Sequence, residues 1–251
     1  MRLSRRRGTG AALIPSPNIW NWPDIYEREN AAQDPDGALW TALREEAPWA
    51  GRDVLDVGCG DGFHLPLFAA EAASVVGVEP HPPLVERARR RVRDRARVLE
   101  AGADALPLPD RSVDLVHART AYFFGPGCGP GLAEAERVLR PGGAIAIIDL
   151  DATVPPYGGW MRADIPHYDP HRVERFFAEQ GFSLRRVPTV WRFPDRPSLE
   201  AVLRIEFSAR TADRAVAEVS GPVLPVGYRL HVRRKEIVPR NVGSADDRAR
   251  A

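Results

Sequence analysis

The sequence predicts an α/β fold built on a parallel, doubly wound sheet, and three observations carry that expectation. Short apolar runs alternate with amphipathic ones at spacings that suit strands joined by crossover helices. Residues 54–62, Val-Leu-Asp-Val-Gly-Cys-Gly-Asp-Gly, lead an apolar strand bearing Asp56 through glycines at alternate positions, Gly58, Gly60 and Gly62, into the amphipathic run 63–70. Glycine there permits positive φ and close approach of a ligand to the backbone, and the following helix offers unpaired N–H groups. A second acid, Glu79, ends the next apolar run, Ser-Val-Val-Gly-Val-Glu, about twenty residues on, where a ribose diol would be gripped.

The elements follow in order. Residues 1–14 open with Met-Arg-Leu-Ser-Arg-Arg-Arg, and the apolar stretch 11–14 stops at Pro15. That is too short for an export signal, so a disordered basic arm is expected. Residues 15–50 place Trp20, Trp22, Tyr26 and Trp40 among charged residues, with a helical pattern from Asp36 to Glu46, and read as a cap over the site side of the sheet. Strand and helix then alternate through a core at 51–150: strand 52–57, helix 62–71, strand 74–79, helix 82–93, strands 97–101 and 113–118, helix 130–139 and strand 143–149. Right-handed crossovers are the default for such units. Residues 151–170, rich in Pro, Gly, Trp, Tyr and His, show little periodicity and read as an irregular functional loop. Helix 171–180, strand 183–193, helices 197–207 and 211–219 and strand 226–233 complete one domain spanning 15–235, and 236–251 reads as a disordered polar tail.

Composition narrows the function classes. The 251 residues are 44% hydrophobic, enough for a full core, and 35 basic against 34 acidic side chains leave a net charge of +1. Nothing in that balance favours nucleic acid or another polyanionic partner. Two cysteines, Cys59 and Cys128, support neither a disulfide framework nor a zinc site and suit a reducing cytoplasm. No run reaches the roughly 20 apolar residues of a membrane span.

Four blocks resemble the class I S-adenosylmethionine (SAM) dependent methyltransferases, particularly their small-molecule branch. They are the glycine segment with Glu79; Gly102-Ala-Asp104-Ala-Leu-Pro-Leu-Pro-Asp110; Ser112-Val-Asp114-Leu-Val-His-Ala-Arg119; and Glu136-Arg-Val-Leu-Arg-Pro-Gly-Gly-Ala-Ile-Ala-Ile-Ile-Asp149. The resemblance covers about residues 50–150. It implies a Rossmann-like, seven-stranded, mostly parallel sheet with helices on both faces, an N-terminal helical cap and an antiparallel edge made by the last two strands. It also implies SAM as cofactor and methyl transfer to a small organic acceptor. By the same resemblance, Asp56 and the backbone of Gly58, Cys59, Gly60 and Gly62 meet the amino-acid part of SAM. Glu79 accepts both ribose hydroxyls, Asp104 and Ala105 contact the adenine, and Arg119, past the fourth strand where that loop faces the methyl group, completes the cofactor-binding set. His81 either stacks on the adenine or is a bystander.

Methyl transfer is an in-line displacement. Alignment of donor and acceptor is worth about 7–11 kcal/mol, whereas a general base adds roughly 10²- to 10⁴-fold, so a base is optional. His167, in the irregular segment, is the expected base, and Tyr122, with Phe123, either walls the methyl channel or packs under the cap. His64 either touches the methionine portion or lies on a helix surface, while His117, inside a strand, is expected to be buried. The aromatics Trp20, Trp22, Tyr26, Tyr157 and Trp160 either line an apolar acceptor site or form the cap's own core. Asp149 and Asp151 lack a matching third ligand, so no metal is expected. A nicotinamide enzyme would need glycine where Phe63 stands; a SAM-binding regulator, or a methyltransferase acting on RNA or protein, is the alternative.

Overall fold

The computed structural model describes residues 16–121 and 125–237. Three helices, α1 (Pro17–Asn21), α2 (Pro23–Ala32) and α3 (Ala38–Glu46), precede β1 (Asp53–Val57). Then come α4 (Leu65–Ala69), β2 (Ser74–Glu79), α5 (Pro82–Val92), β3 (Arg97–Glu100), β4 (Val113–Arg119), α6 (Gly129–Val138) and β5 (Leu139–Leu150). The chain ends with α7 (Tyr157–Asp164), α8 (Pro170–Glu179), β6 (Ser183–Arg192), α9 (Arg196–Glu206), α10 (Ala209–Glu218) and β7 (Val223–Arg234).

The strands form one seven-stranded sheet in the order β3-β2-β1-β4-β5-β7-β6. β3, β2, β1, β4 and β5 pair in parallel, and β7 runs antiparallel to both β5 and β6. The expected open, mostly parallel sheet is therefore present. Because the chain builds outward from β1 through β2 to β3 and then returns to lay β4 on the other side of β1, the strand order reverses between β1 and β4. Loops leaving the carboxyl ends of these strands diverge there and open a crevice.

The apolar runs explain the layering. Val54, Leu55, Val57, Val116, Ala118 and the stretch Ala144–Ile148 are buried, as strands covered on both faces must be. Helix α5 presents Leu84, Val85, Ala88 and Val92 to the sheet, a spacing of one helical face. Among the described residues no helix is long and apolar enough to cross a membrane.

Several boundaries differ from expectation for identifiable reasons. The segment 151–170 contains helix α7, which buries Tyr157, Trp160 and Met161 at i, i+3 and i+4. Its short apolar stripe is broken up in the sequence by Gly158 and Gly159 and by the preceding Pro155-Pro156 pair. The helix expected at 62–71 shrinks to α4, because the chain spends 58–64 in turns around the glycines. Strand β5 begins at Leu139, and its pairing with β4 slips between Val113 and Leu115, which accommodates Pro141-Gly142-Gly143 inside the strand. The arm and most of the polar tail lie outside the described residues.

Candidate active site

A cavity of about 740 Å³ opens at the β1/β4 reversal, floored by Asp56–Asp61 and roofed by residues of α1, α2, α7 and α9. The glycine loop forms one end. Gly58, Gly60 and Gly62 all take positive φ, and a Cβ on Gly58 would come within 2.9 Å of the Ala121 Cβ, so the β1 and β4 loops touch only because the side chain is absent. Gly62 is placed apart from the other two. It does not line the cavity, and a Cβ there would meet Ala88 at 3.0–3.1 Å. Its role is the close packing of the loop on α5.

Glu79 faces the loop from the end of β2. Its Oε2 accepts from the Gly60 N–H at 3.1 Å and its Oε1 from the His81 N–H at 3.0 Å. Burial pushes this carboxyl up to about 7, against the pull of the two N–H donors, so its ionised form is short of donors. Ala101–Asp104, at the end of β3, complete this end of the cavity; Ala105 is exposed and outside the lining, turned away by the 102–105 turn, whose Ala105 N–H donates to the Gly102 carbonyl at 3.3 Å. Asp61 is buried and ion-paired to Arg91 at 2.8 Å. Cys59 lines the cavity with its thiol packed against Gly77 of β2, and burial together with Asp56 and Glu79 pushes that thiol well above its ordinary range, which makes it a wall rather than a nucleophile.

Asp56 and His117 stand opposite each other in the β1/β4 register, so their side chains share a face. The His117 Nδ1 lies 2.7 Å from Asp56 Oδ1. Asp56 thus spends one oxygen orienting a fully buried histidine while still lining the cavity. The helix α1 roof is close: Ile19 Cδ1 would meet a Cβ on Gly60 at 2.9 Å, and Trp20 stacks on His81 with ring centroids 4.6 Å apart and planes 9° from parallel.

The other end of the cavity is a chamber that the sequence shows only as scattered aromatics. Arg119 enters it from the end of β4, donating to Gln33 and, at 3.3 Å, to the Tyr228 hydroxyl. Its guanidinium sits 5.6 Å from the Trp40 ring and 5.1 Å from the Tyr228 ring. Glu29 of α2, Glu206 of α9, Tyr26, Tyr157 and Tyr228 line the same space. Glu29 and Glu206 belong to no local motif, since they lie far apart in the chain and meet only when α2 packs on α9; no signal in the sequence marks them.

The expected base, His167, is exposed and outside the cavity, because its neighbour Tyr168 turns inward to Arg229, whose Nη2 is 2.5 Å from the tyrosine oxygen. His64 is the histidine that lines the cavity; burial first, then Arg119, holds its pKa well below the ordinary value, so it is neutral at pH 7. Tyr122 and Phe123 lie outside the described residues.

Residues 55–147 match a family model described as a methyltransferase domain. An uncharacterized methyltransferase from Mycobacterium ulcerans (strain Agy99) is 37% identical over 131 residues, which is 52% of this chain and 50% of that protein. The chain thus spans about half the length of the curated relatives it matches. Among solved structures, the YcgJ protein from Bacillus subtilis superposes with a TM-score of 0.59 at 16% identity, covering 81% of this chain and 100% of that one. A SAM-dependent methyltransferase from Thermotoga maritima gives a TM-score of 0.57 at 20% identity, covering 87% and 98%. At such identities the likeness is one of fold. Residues 55–147 match the methyltransferase domain model, and the sheet shares the Rossmann-like fold of these structures.

Proposed function

We propose that this chain, carrying a methyltransferase domain over residues 55–147, binds SAM and moves its methyl group to a small organic acceptor. The observation that carries the reading is one continuous cavity with two chemically distinct ends. The glycine loop and Glu79 lie at one end and a polar, aromatic-walled chamber at the other. A volume of about 740 Å³ falls within the 300–1,000 Å³ typical of small-molecule sites.

The residues present fit the cofactor. Glu79 is a buried carboxylate with unused acceptor capacity, which a ribose diol would satisfy, and its charged form gains most from such donors. The positive-φ glycines leave the floor free of side chains, and Ala101–Asp104 would border the adenine. SAM supplies a sulfonium-bound methyl group, which leaves to the acceptor while the carbon–sulfur electron pair stays on sulfur. The chain's own part is to orient and to exclude water. Asp56, fixed by His117, holds the amino-acid end; Arg119 lines the opposite chamber; and α1, with Ile19 and Trp20, roofs the site. Alignment of this kind lowers the barrier to such a displacement more than a general base does.

The cavity's size and the net charge of +1 favour a small acceptor over nucleic acid. Glu79→Ala tests the site. It is expected to weaken S-adenosylhomocysteine (SAH) binding by about 1.5–3 kcal/mol, roughly 10- to 150-fold. Unchanged affinity in a titration calorimeter would remove the ribose assignment.

A further inference from the structure

We infer that the acceptor is a small amine with an apolar or aromatic body, held by the carboxyl pair Glu29 and Glu206. The inference rests on the methyl-transfer reading and names the acceptor class for that same site. Glu29 is 2% exposed, and while its Oε1 accepts from Gln33 at 2.8 Å, its Oε2 meets no N–H or hydroxyl donor and the carboxyl faces that of Glu206. Glu206 sits beside it, its Oε1 accepting from Asn18 at 2.5 Å and its Oε2 from the Tyr157 hydroxyl at 2.8 Å. A carboxyl pair buried in the wall of a cavity, with at most one proton shared between its facing oxygens, is costly unless a further donor arrives.

The donor that suits it is an ammonium. Among the described residues Arg119 is the only arginine or lysine lining the cavity, and it is turned to Gln33 and Tyr228. A carboxylate acceptor would therefore meet two carboxyls, and a hydroxyl would bring one donor and no charge. An ammonium brings charge and two or three donors. Around the pair stand Tyr26, Tyr157, Phe207 and Tyr228, ring faces that favour a cation and the apolar group it is attached to.

The pair also answers the proton balance. An ammonium has no lone pair, so one N–H proton must pass to a carboxylate oxygen before nitrogen forms its bond to the methyl carbon. As that bond forms, the carbon–sulfur bond breaks and its electron pair remains on sulfur. Burial first, then the neighbouring Glu206, holds the Glu29 carboxyl well above the ordinary range, with Arg119 and Gln33 opposing; two carboxyls so close share a proton rather than both ionise. The same pair, after burial, pushes the Tyr26 and Tyr157 hydroxyls well up, which keeps them donors.

The test is calorimetric titration of the full chain, first with SAH and then, on the SAH complex, with phenylalkyl and alkyl amines, each beside its isosteric alcohol and carboxylate. At least one amine is expected to bind tenfold or more tighter than its alcohol. Glu29→Gln and Glu206→Gln should lose that preference while SAH affinity stays unchanged, and labelled methyl from SAM should appear on the amine nitrogen. Should a variant fail to fold, the wild-type amine-against-alcohol comparison decides alone. SAH binding with no amine preferred over its alcohol, or a preference that survives both substitutions, overturns the amine assignment. Absence of SAH binding instead overturns the methyl-donor reading beneath it.

Discussion

On the proposed reading, Glu79 makes the glycine-loop end of the cavity pH-sensitive. Its carboxyl is held at about 7 by burial, and ribose hydroxyls would favour the ionised form, so binding lowers its pKa and expels a proton wherever the free protein still carries one. SAH affinity is therefore expected to rise with pH up to about 7 and to level off above it. Calorimetry in buffers of different ionisation enthalpy should register proton release at pH 6 and none at pH 9, and Glu79→Gln should remove the slope. Asp149 offers a second residue-scale test, of stability. It is fully buried with neither oxygen hydrogen-bonded, and burial pushes it up to about 7 despite the nearby Arg229. The folded state then keeps a proton that the unfolded chain loses near pH 4, so this group makes stability fall as pH rises from about 4 to 7, with no further change above. Asp149→Asn should flatten that fall in plots of Tm against pH and raise Tm at pH 8; an unaltered profile would contradict the assignment. Glu79 was legible because an acid ending the second apolar run has a fixed place in such a sheet, whereas Asp149 was visible only as a strand-end acid, its isolation being a product of packing.

At the scale of elements, Gly62 separates packing from binding. Its φ of +79° and the 3.0–3.1 Å approach of a Cβ to Ala88 predict that Gly62→Ala costs about 1–3 kcal/mol of stability, measured by urea unfolding. SAH affinity under folded conditions should change less than it does for Glu79→Ala. Helix α3 offers a parallel case: buried Asp34 accepts from the Leu39 and Trp40 N–H groups at 2.9 and 3.4 Å and from the Thr189 hydroxyl at 3.0 Å. It satisfies the helix N-terminus, since Gly37 at the cap position has no side chain to do so, and ties α3 to β6. Asp34→Ala should cost about 1–3 kcal/mol. The strands and crossovers of 53–150 were legible because apolar runs and turn glycines report local geometry. Helix α7 was not, since two glycines and a proline pair break up its short stripe, and its register is set by contacts such as Tyr157 with Trp191 and Phe207 that no local pattern records.

Over the whole molecule, the site follows from topology: β4 returns beside β1, the crevice opens at that reversal, and α1, α2, α7 and α9 close over it. The glycine-loop end is built from neighbours in sequence, residues 56–61 and 79, and its placement could be read from spacing. The opposite end joins Glu29 to Glu206 and Arg119 to Tyr228 across the fold, so the residues proposed to choose an acceptor are invisible until the helices are packed. His167 illustrates the cost of reading position alone: it sits in the right segment but on the outside of it. The central claim, that this cavity takes an adenosyl sulfonium cofactor, is tested most directly by calorimetric titration of the full chain with SAM, SAH and NADH in parallel. Micromolar binding of both adenosyl ligands and none of NADH is the predicted result; binding of NADH alone, or of none of the three, would contradict it.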